Sequence, residues 1–168
     1  MKTWLRLTII TMTVGGGFSG VALTSQVLVH STVLWPNNLV IATFLALYAF
    51  VLVSGLLFVQ NPKNSRLIIV ALAIQVPCLL SPKVVYRFAS GGSIVLGIGT
   101  AQGTSGVKLD ADAGFGSNFA FELLKDRRWS LGVNMVALAI LVVLLRAIRA
   151  PVPVVQPSIP ALVEPTST

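Results

Sequence analysis

Charged residues are scarce in this chain, and their scarcity decides its class. Only 10% of the 168 residues are charged, whereas 55% are hydrophobic, and the mean hydropathy is +0.87. Soluble domains usually carry about 25% charged residues. Because a short chain with so little charge cannot cover a globular surface with polar groups, we expect an integral membrane protein.

Cysteine and histidine are almost absent, which removes several kinds of chemistry. The single cysteine, Cys78, permits neither an internal disulfide nor a zinc site built from thiolates. The single histidine, His30, lacks a second histidine or a nearby carboxylate with which to bind a metal, and Ser31 beside it forms no catalytic triad. We therefore expect no cofactor, no metal and no enzymatic activity.

The positive net charge does not indicate nucleic-acid binding. The chain has a formal charge of +7, but its Lys and Arg residues stand at the edges of apolar runs rather than in a stripe along one face. Insertion into a bilayer selects this placement of cations. We expect the lipid bilayer as a partner, and no nucleic acid.

Four apolar runs predict four transmembrane helices. The runs cover roughly Trp4–Leu23, Leu39–Val59, a shorter segment that starts at Arg66, and about Leu131–Ile148. A helix needs about 20 residues to cross the hydrocarbon layer, and the second and fourth runs meet this length. The third run contains Gln75 and Pro77, so we expect a kinked or tilted helix there.

The first run also fits a cleavable secretory signal. Lys2 and Arg6, the apolar centre and the "ALTS" sequence around Ala22 are typical of such a signal. Three consecutive glycines and the length of the run favour a retained helix instead. Trp4, Trp35 and Trp129 support four spans, since each lies at the mouth of one, where an indole prefers the membrane interface.

Basic residues at the ends of the runs set the predicted orientation. They precede the first run, fill the tight turn "QNPKNSR" after the second, and close the fourth at Arg146 and Arg149. The positive-inside rule therefore places both termini in the cytoplasm. We expect the protein in a bacterial inner membrane.

The segment between the third and fourth runs has the pattern of strands. In "VKLDADAGF", apolar residues from Val107 to Phe115 alternate with charged ones, which predicts a strand with one apolar face. We expect "VVYRF" to pair with "SIVLGIG" across the turn "ASGG". The glycines of "GIGTAQG" match no phosphate-binding pattern, so we expect them to shape a turn. "FGSNFAF" predicts either a fourth strand or the cap of a helix.

An open sheet edge cannot lie in lipid, because each unpaired backbone group would cost several kcal/mol. We therefore expect residues 83–128 to form an extracytoplasmic β-cap. Its apolar face would rest on the helix ends, the membrane interface or a partner protein. The predicted fold is thus mainly α: a four-transmembrane-helix bundle with a small antiparallel β-meander between helices 3 and 4. Residues 1–82 hold the first three helices and residues 129–149 the fourth, and residues 150–168 form a disordered, proline-rich cytoplasmic tail.

Several residues are candidates for contact with a partner. Gly16 and Gly20 form a G-x-x-x-G pattern, which suits packing inside the bundle and contact with another protein equally well. Leu109 and Phe115 lie on the apolar face of the predicted strand. Arg127 and Arg128 form a cationic collar, which either attracts lipid phosphates or simply anchors the chain.

The remaining candidates are polar. Gln75 and Asn134 interrupt the apolar runs, and we expect them to hydrogen-bond between helices. Asp110 and Asp112 share a strand face, where pairing with Lys108 or Arg87 in solvent is favoured over a calcium site.

The absence of a catalytic set favours a non-enzymatic function. We expect an assembly, accessory or immunity-type protein that binds another membrane or envelope protein, or itself, through the β-cap and the small-residue helix face. The alternative is a small oligomeric pore or solute carrier, lined by Gln75, Asn134, Thr8 and Thr11.

Overall fold

A computed structural model describes residues 3–30, 35–61, 65–81, 83–100, 106–123 and 129–149. Arg127, Arg128 and the proline-rich tail lie outside the described residues. The helical elements are α1 (Thr3–Ile10), a π-helical turn (Thr11–Gly15), α2 (Gly16–His30), α3 (Trp35–Gln60), α4 (Ser65–Gln75) and α5 (Met135–Arg149). The strands are β1 (Pro77–Leu80), β2 (Val84–Ala89), β3 (Gly92–Thr100), β4 (Val107–Phe115), β5 (Asn118–Leu123) and β6 (Ser130–Asn134).

Two helices are long and apolar enough to cross a membrane. The first is continuous over Thr3–His30 through the π-helical turn, and the second covers Asn38–Gln60. Only 33% and 28% of their most apolar windows are buried within the chain. This low burial favours membrane spans over the core helices of a soluble domain, which are mostly buried. The first two predicted spans are therefore confirmed as helices that could cross a membrane.

The predicted four-transmembrane-helix bundle is wrong, because the third and fourth runs do not make long helices. α4 has 11 residues and α5 has 15. At 1.5 Å per residue they are about 16 and 22 Å long, short of the ~30 Å hydrocarbon layer. Among the described residues, a six-stranded antiparallel sheet takes the place of the missing helical turns.

Two residues explain where these short helices stop and start. Pro77 lacks an N–H and disfavours the helical conformation at Val76, so α4 ends and the chain continues as β1. Asn134 closes β6 and begins α5, where its Oδ1 accepts a hydrogen bond from the Val136 N–H at 3.2 Å. The expected kink at Pro77 is thus a change from helix to strand.

Four helices do pack together, but only over the length of α4 and α5. Their shared core contains Leu5, Ile9, Phe58, Ile68, Leu72 and Leu144. Arg6 lies at this end of the molecule and donates a hydrogen bond to the Val59 carbonyl at 2.9 Å. The rest of α3 packs against α2 and against the sheet.

The predicted hairpin between "VVYRF" and "SIVLGIG" is wrong. The sheet order is β4-β3-β6-β1-β2-β5, so β2 and β3 are not neighbours. β2 pairs with β5, from Val84 opposite Leu123 to Ala89 opposite Asn118. β3 pairs with β4, from Gly92 opposite Phe115 to Thr100 opposite Val107. This pairing continues the register of β2 and β5 without a shift. The two pairs therefore form one long hairpin, which is bent where β2 leads into β3.

Glycines allow the bend on both strands of this long hairpin. Gly91 and Gly116 have positive φ angles of 87° and 101°, a backbone conformation that other residues rarely adopt. They lie opposite each other, and the Gly116 N–H donates to the Gly91 carbonyl at 3.2 Å. β1 and β6 fill the space between the two arms of the bent hairpin, although the sequence assigns both segments to helices. The sheet therefore extends beyond residues 83–128 on both sides.

The sheet is strongly curved. Arg87 of β2 and Asp112 of β4 form an ion pair, although three strands lie between them. In a flat sheet this separation would be about 19 Å, since strands are spaced about 4.8 Å apart. The concave side has room for this curvature because it carries glycines: a Cβ at Gly132 would lie 2.8 Å from Val95 Cγ1.

The two faces of the curved sheet differ in polarity. Side chains alternate between faces along each strand, and the registers place one apolar set on the convex face of all six strands. The concave face is mixed. Its small and polar residues are Ser93, Gly97, Ser130, Gly132, Arg87, Asp110 and Asp112, and its apolar residues include Cys78, Leu80, Val85 and Val95. The sheet is thus apolar on its convex side and mixed in polarity on its concave side.

α3 covers one half of the convex face. Phe44 stacks on Phe119 with ring centroids 4.8 Å apart, and Tyr48 packs on Phe88 at 4.7 Å. The Tyr48 hydroxyl also donates to the Ala89 carbonyl at 3.1 Å. This contact fixes the β2–β5 half of the sheet beside α3. The β3–β4 half touches the helices mainly where β3 meets α5, and its convex face stays exposed.

Candidate docking site

The hairpin of β3 and β4, called here the β3–β4 arm, is the most exposed part of the sheet. All nine residues of β4 are exposed. Leu109 is 78% exposed and Phe115 is 92% exposed, so neither of these two predicted contact residues packs into the core of this chain. Ile94, Leu96 and Ile98 of β3 lie on the same convex face, each about half exposed. Together they form an apolar surface without a cover among the described residues.

The outer edge of β4 offers unpaired backbone groups. The Gly116 N–H donates to Gly91 and the Thr100 N–H donates to Trp129. Since backbone groups along a strand point alternately to its two sides, odd-numbered residues of β3 face β4 and even-numbered ones face β6. On β4, even-numbered residues bond to β3, and the odd-numbered ones from Val107 to Phe115 point outward. No described strand pairs with this edge.

Gly16 and Gly20 lie inside the fold, against this chain. A Cβ at Gly16 would lie 2.6 Å from the carbonyl carbon of Ser90, at the bend of the long hairpin. A Cβ at Gly20 would lie 2.5 Å from Cε1 of the Tyr48 ring. The G-x-x-x-G pattern therefore allows the sheet and α3 to approach α2, and the surface it would offer to another protein is occupied.

Gln75 and Asn134 both lie at the junction between helices and sheet. Gln75 donates to the Ala71 carbonyl and accepts from the Ser90 N–H, both at 2.9 Å. Asn134 is fully buried, and its Nδ2 has no hydrogen-bond partner among the described residues. Thr11 is exposed on the helix surface instead, so these residues do not form the continuous polar stripe expected of a pore.

The concave face encloses a chamber that the sequence does not predict. Its volume is about 300 Å³, and Cys78, Arg87, Asp110, Asp112 and Ser130 are among the residues that line it. The expected pairing of the aspartates with Arg87 is found at Asp112, whose side chain is 54% exposed on the concave side of the sheet. The sequence does contain a signal for this chamber: the small and charged residues occupy alternate positions along each strand, which places them on one face of the sheet.

The chamber has few groups suited to catalysis. Burial raises the pKa of the Cys78 thiol, with Arg87 opposing the shift, so the thiol is protonated at neutral pH and is a poor nucleophile. No group of three or more His, Cys, Asp or Glu residues in the described part of the chain could hold a metal ion.

Comparison with known protein families, with characterised proteins and with solved structures finds no match to this chain.

Proposed function

We propose that this chain is a non-enzymatic membrane protein that acts as an assembly or accessory subunit, with the β3–β4 arm as its docking element. The single observation that supports this is the combination, on one strand, of an unpaired backbone edge and an exposed apolar face. Folded proteins usually block such edges with charges, bulges or covering loops, because an open edge is a template for pairing with another chain. Strand addition of this kind is a common mode of protein recognition.

Photo-crosslinking in native membranes tests this function. A photoreactive amino acid replaces Leu109 in the arm or, as a control, Val29, which is 80% exposed on α2. The function requires a protein adduct of defined mass from position 109 and none from position 29. If position 109 gives only lipid adducts, or the same adducts as position 29, the arm is not a docking element.

The proposed orientation places the four-helix end of the molecule in the cytoplasm of a bacterial inner-membrane protein. Arg6, Arg66 and Arg149 support it, because the helices that carry them bring them to this end. An impermeant thiol reagent applied to intact cells should label a Lys108→Cys chain and leave a Ser65→Cys chain unlabelled, both in a Cys78→Ser background. The reverse labelling would invert this orientation.

The chamber supports a second candidate, the carriage of a small polar solute. Arg87, Asp110, Asp112 and Ser130 supply the chamber with charged and hydrogen-bonding groups for such a solute, beside the apolar side chains of Leu80 and Val95. Reconstituted into liposomes, the native chain would then pass small polar solutes faster than an Asp110→Asn variant, in which the chamber loses a charge. Equal leakage from liposomes with and without protein would remove this candidate.

A further inference from the structure

We infer that the β4 edge pairs, antiparallel, with the β4 edge of a second copy of this chain, with Leu109 opposite Leu109 at the twofold axis. This inference rests on the proposed function and names its partner. It would join two curved sheets into one continuous twelve-stranded sheet.

The β4 edge and the apolar face beside it both favour a partner strand. Leu109 is 78% exposed and Phe115 is 92% exposed, and no described strand pairs with the outward N–H and C=O groups of β4. An edge of this kind is a template for pairing with another chain. Another strand supplies every missing hydrogen bond at once.

The direction of the free groups restricts the register. Because the odd-numbered residues of β4 point outward, an odd-numbered residue must stand opposite an odd-numbered residue of the second copy. Both convex apolar faces then lie on the same side of the joined sheet, and Val107 stands opposite Ala111. From one allowed register to the next, the partner of each β4 residue moves by two positions along the second copy.

Charge selects one of these registers. With Leu109 opposite Leu109, Lys108 of each copy stands opposite Asp110 of the other, which gives two opposite-charge pairs. A shift by one step in one direction places Lys108 opposite Lys108. A shift in the other direction places Asp110 opposite Asp110. It also places Lys108 opposite Asp112, but Asp112 is already paired with Arg87 of its own chain. Like charges directly opposite each other destabilise a sheet, whereas opposite charges stabilise it.

Disulfide crosslinking in native membranes tests the register. In a Cys78→Ser background, a Leu109→Cys substitution brings the two introduced thiols onto directly opposed residues, whose Cα atoms are about 5.5 Å apart, within disulfide range. In an Ala111→Cys chain the two thiols are about 13 Å apart along the strands and cannot join. A covalent dimer from Leu109→Cys alone is expected. Equal dimer from both variants, or dimer from neither, overturns the inference.

A charge swap tests the pairing in a chain that keeps Cys78. Lys108→Asp and Asp110→Lys each place like charges together twice, and each should weaken the dimer about tenfold, as measured by energy transfer between labelled copies during dilution with lipid. The double variant restores both opposite-charge pairs and should restore the dimer. Equal dimer strength in all four chains contradicts the inference. If Leu109 crosslinks only to a different protein, self-pairing fails while the docking function stands.

Discussion

Gly16 offers the sharpest test of how the sheet meets the helices. A Gly16→Ala substitution would place a Cβ within 2.6 Å of the carbonyl carbon of Ser90, and backbone at the bend cannot move aside as a flexible side chain could. Overpacking costs about 1–3 kcal/mol, and the upper end of this range applies here because backbone must shift. The better helix propensity of Ala returns about 1 kcal/mol. We therefore expect a net destabilisation of about 2 kcal/mol.

Gly15→Ala is the matched control, because a Cβ at Gly15 meets nothing within 4 Å. In mild detergent, thermal unfolding followed by circular dichroism should show the Tm of the Gly16→Ala chain about 4–8 °C below that of the native chain. The Gly15→Ala chain should unfold at or above the native temperature. If the two variants have the same Tm, the close packing of the hairpin bend on α2 is refuted.

Four further predictions concern other parts of the fold. Asn134→Ala should lower the free energy of unfolding by about 1 kcal/mol through loss of the α5 cap, and Asn134→Ser, which keeps an uncharged acceptor at this buried position, should restore part of it in thermal melts. Gly116→Ala should cost about 1–2 kcal/mol because of its positive φ, whereas Gly106→Ala should be neutral in the same assay. Since burial raises the pKa of Cys78, its alkylation should stay slow at pH 8 and accelerate only at higher pH, and a rate equal to that of the unfolded chain would contradict this. Ala111→Pro removes an outward N–H and no β3 hydrogen bond, so it should abolish association while the Tm stays unchanged; association at native strength would refute the open-edge interface.

The sequence predicts the long helices and the alternating strand well, for local reasons. A run of apolar residues as long as Asn38–Gln60 has few stable structures other than a helix. The alternation in Val107–Phe115 forms a strand as predicted. "FGSNFAF" likewise resolves to β5 rather than to a helix cap.

The third and fourth runs could not be assigned from hydropathy. β1 and β6 are four and five residues long, and each is joined directly to an apolar helix. A short buried strand and a helical turn have the same hydropathy, so the two read as one span. Pro77 and Asn134 marked both boundaries, but as single residues they also fit a kink and an interhelical hydrogen bond.

The pairing of the strands is non-local, and this is why the site was only partly predicted. The sequence favours a hairpin across "ASGG" because neighbouring strands usually pair. Here β1 and β6 enter between β2 and β3 instead, and the connection becomes a bend. Gly97 and Gly99, expected in a turn, lie within β3. Leu109 and Phe115 share the expected apolar face, but that face extends past the helices rather than resting on them.

The central claim is that the third and fourth apolar runs each change between helix and strand, which gives a curved six-stranded sheet beside two long helices. The ¹³Cα chemical shifts of residues 77–80 and 130–134, measured by NMR on the labelled protein in lipid nanodiscs, test it most directly. Values shifted toward strand at both segments are expected, with helical values at residues 65–75 and 135–149. Helical values continuing through both segments would contradict the sheet and restore a bundle of four spans.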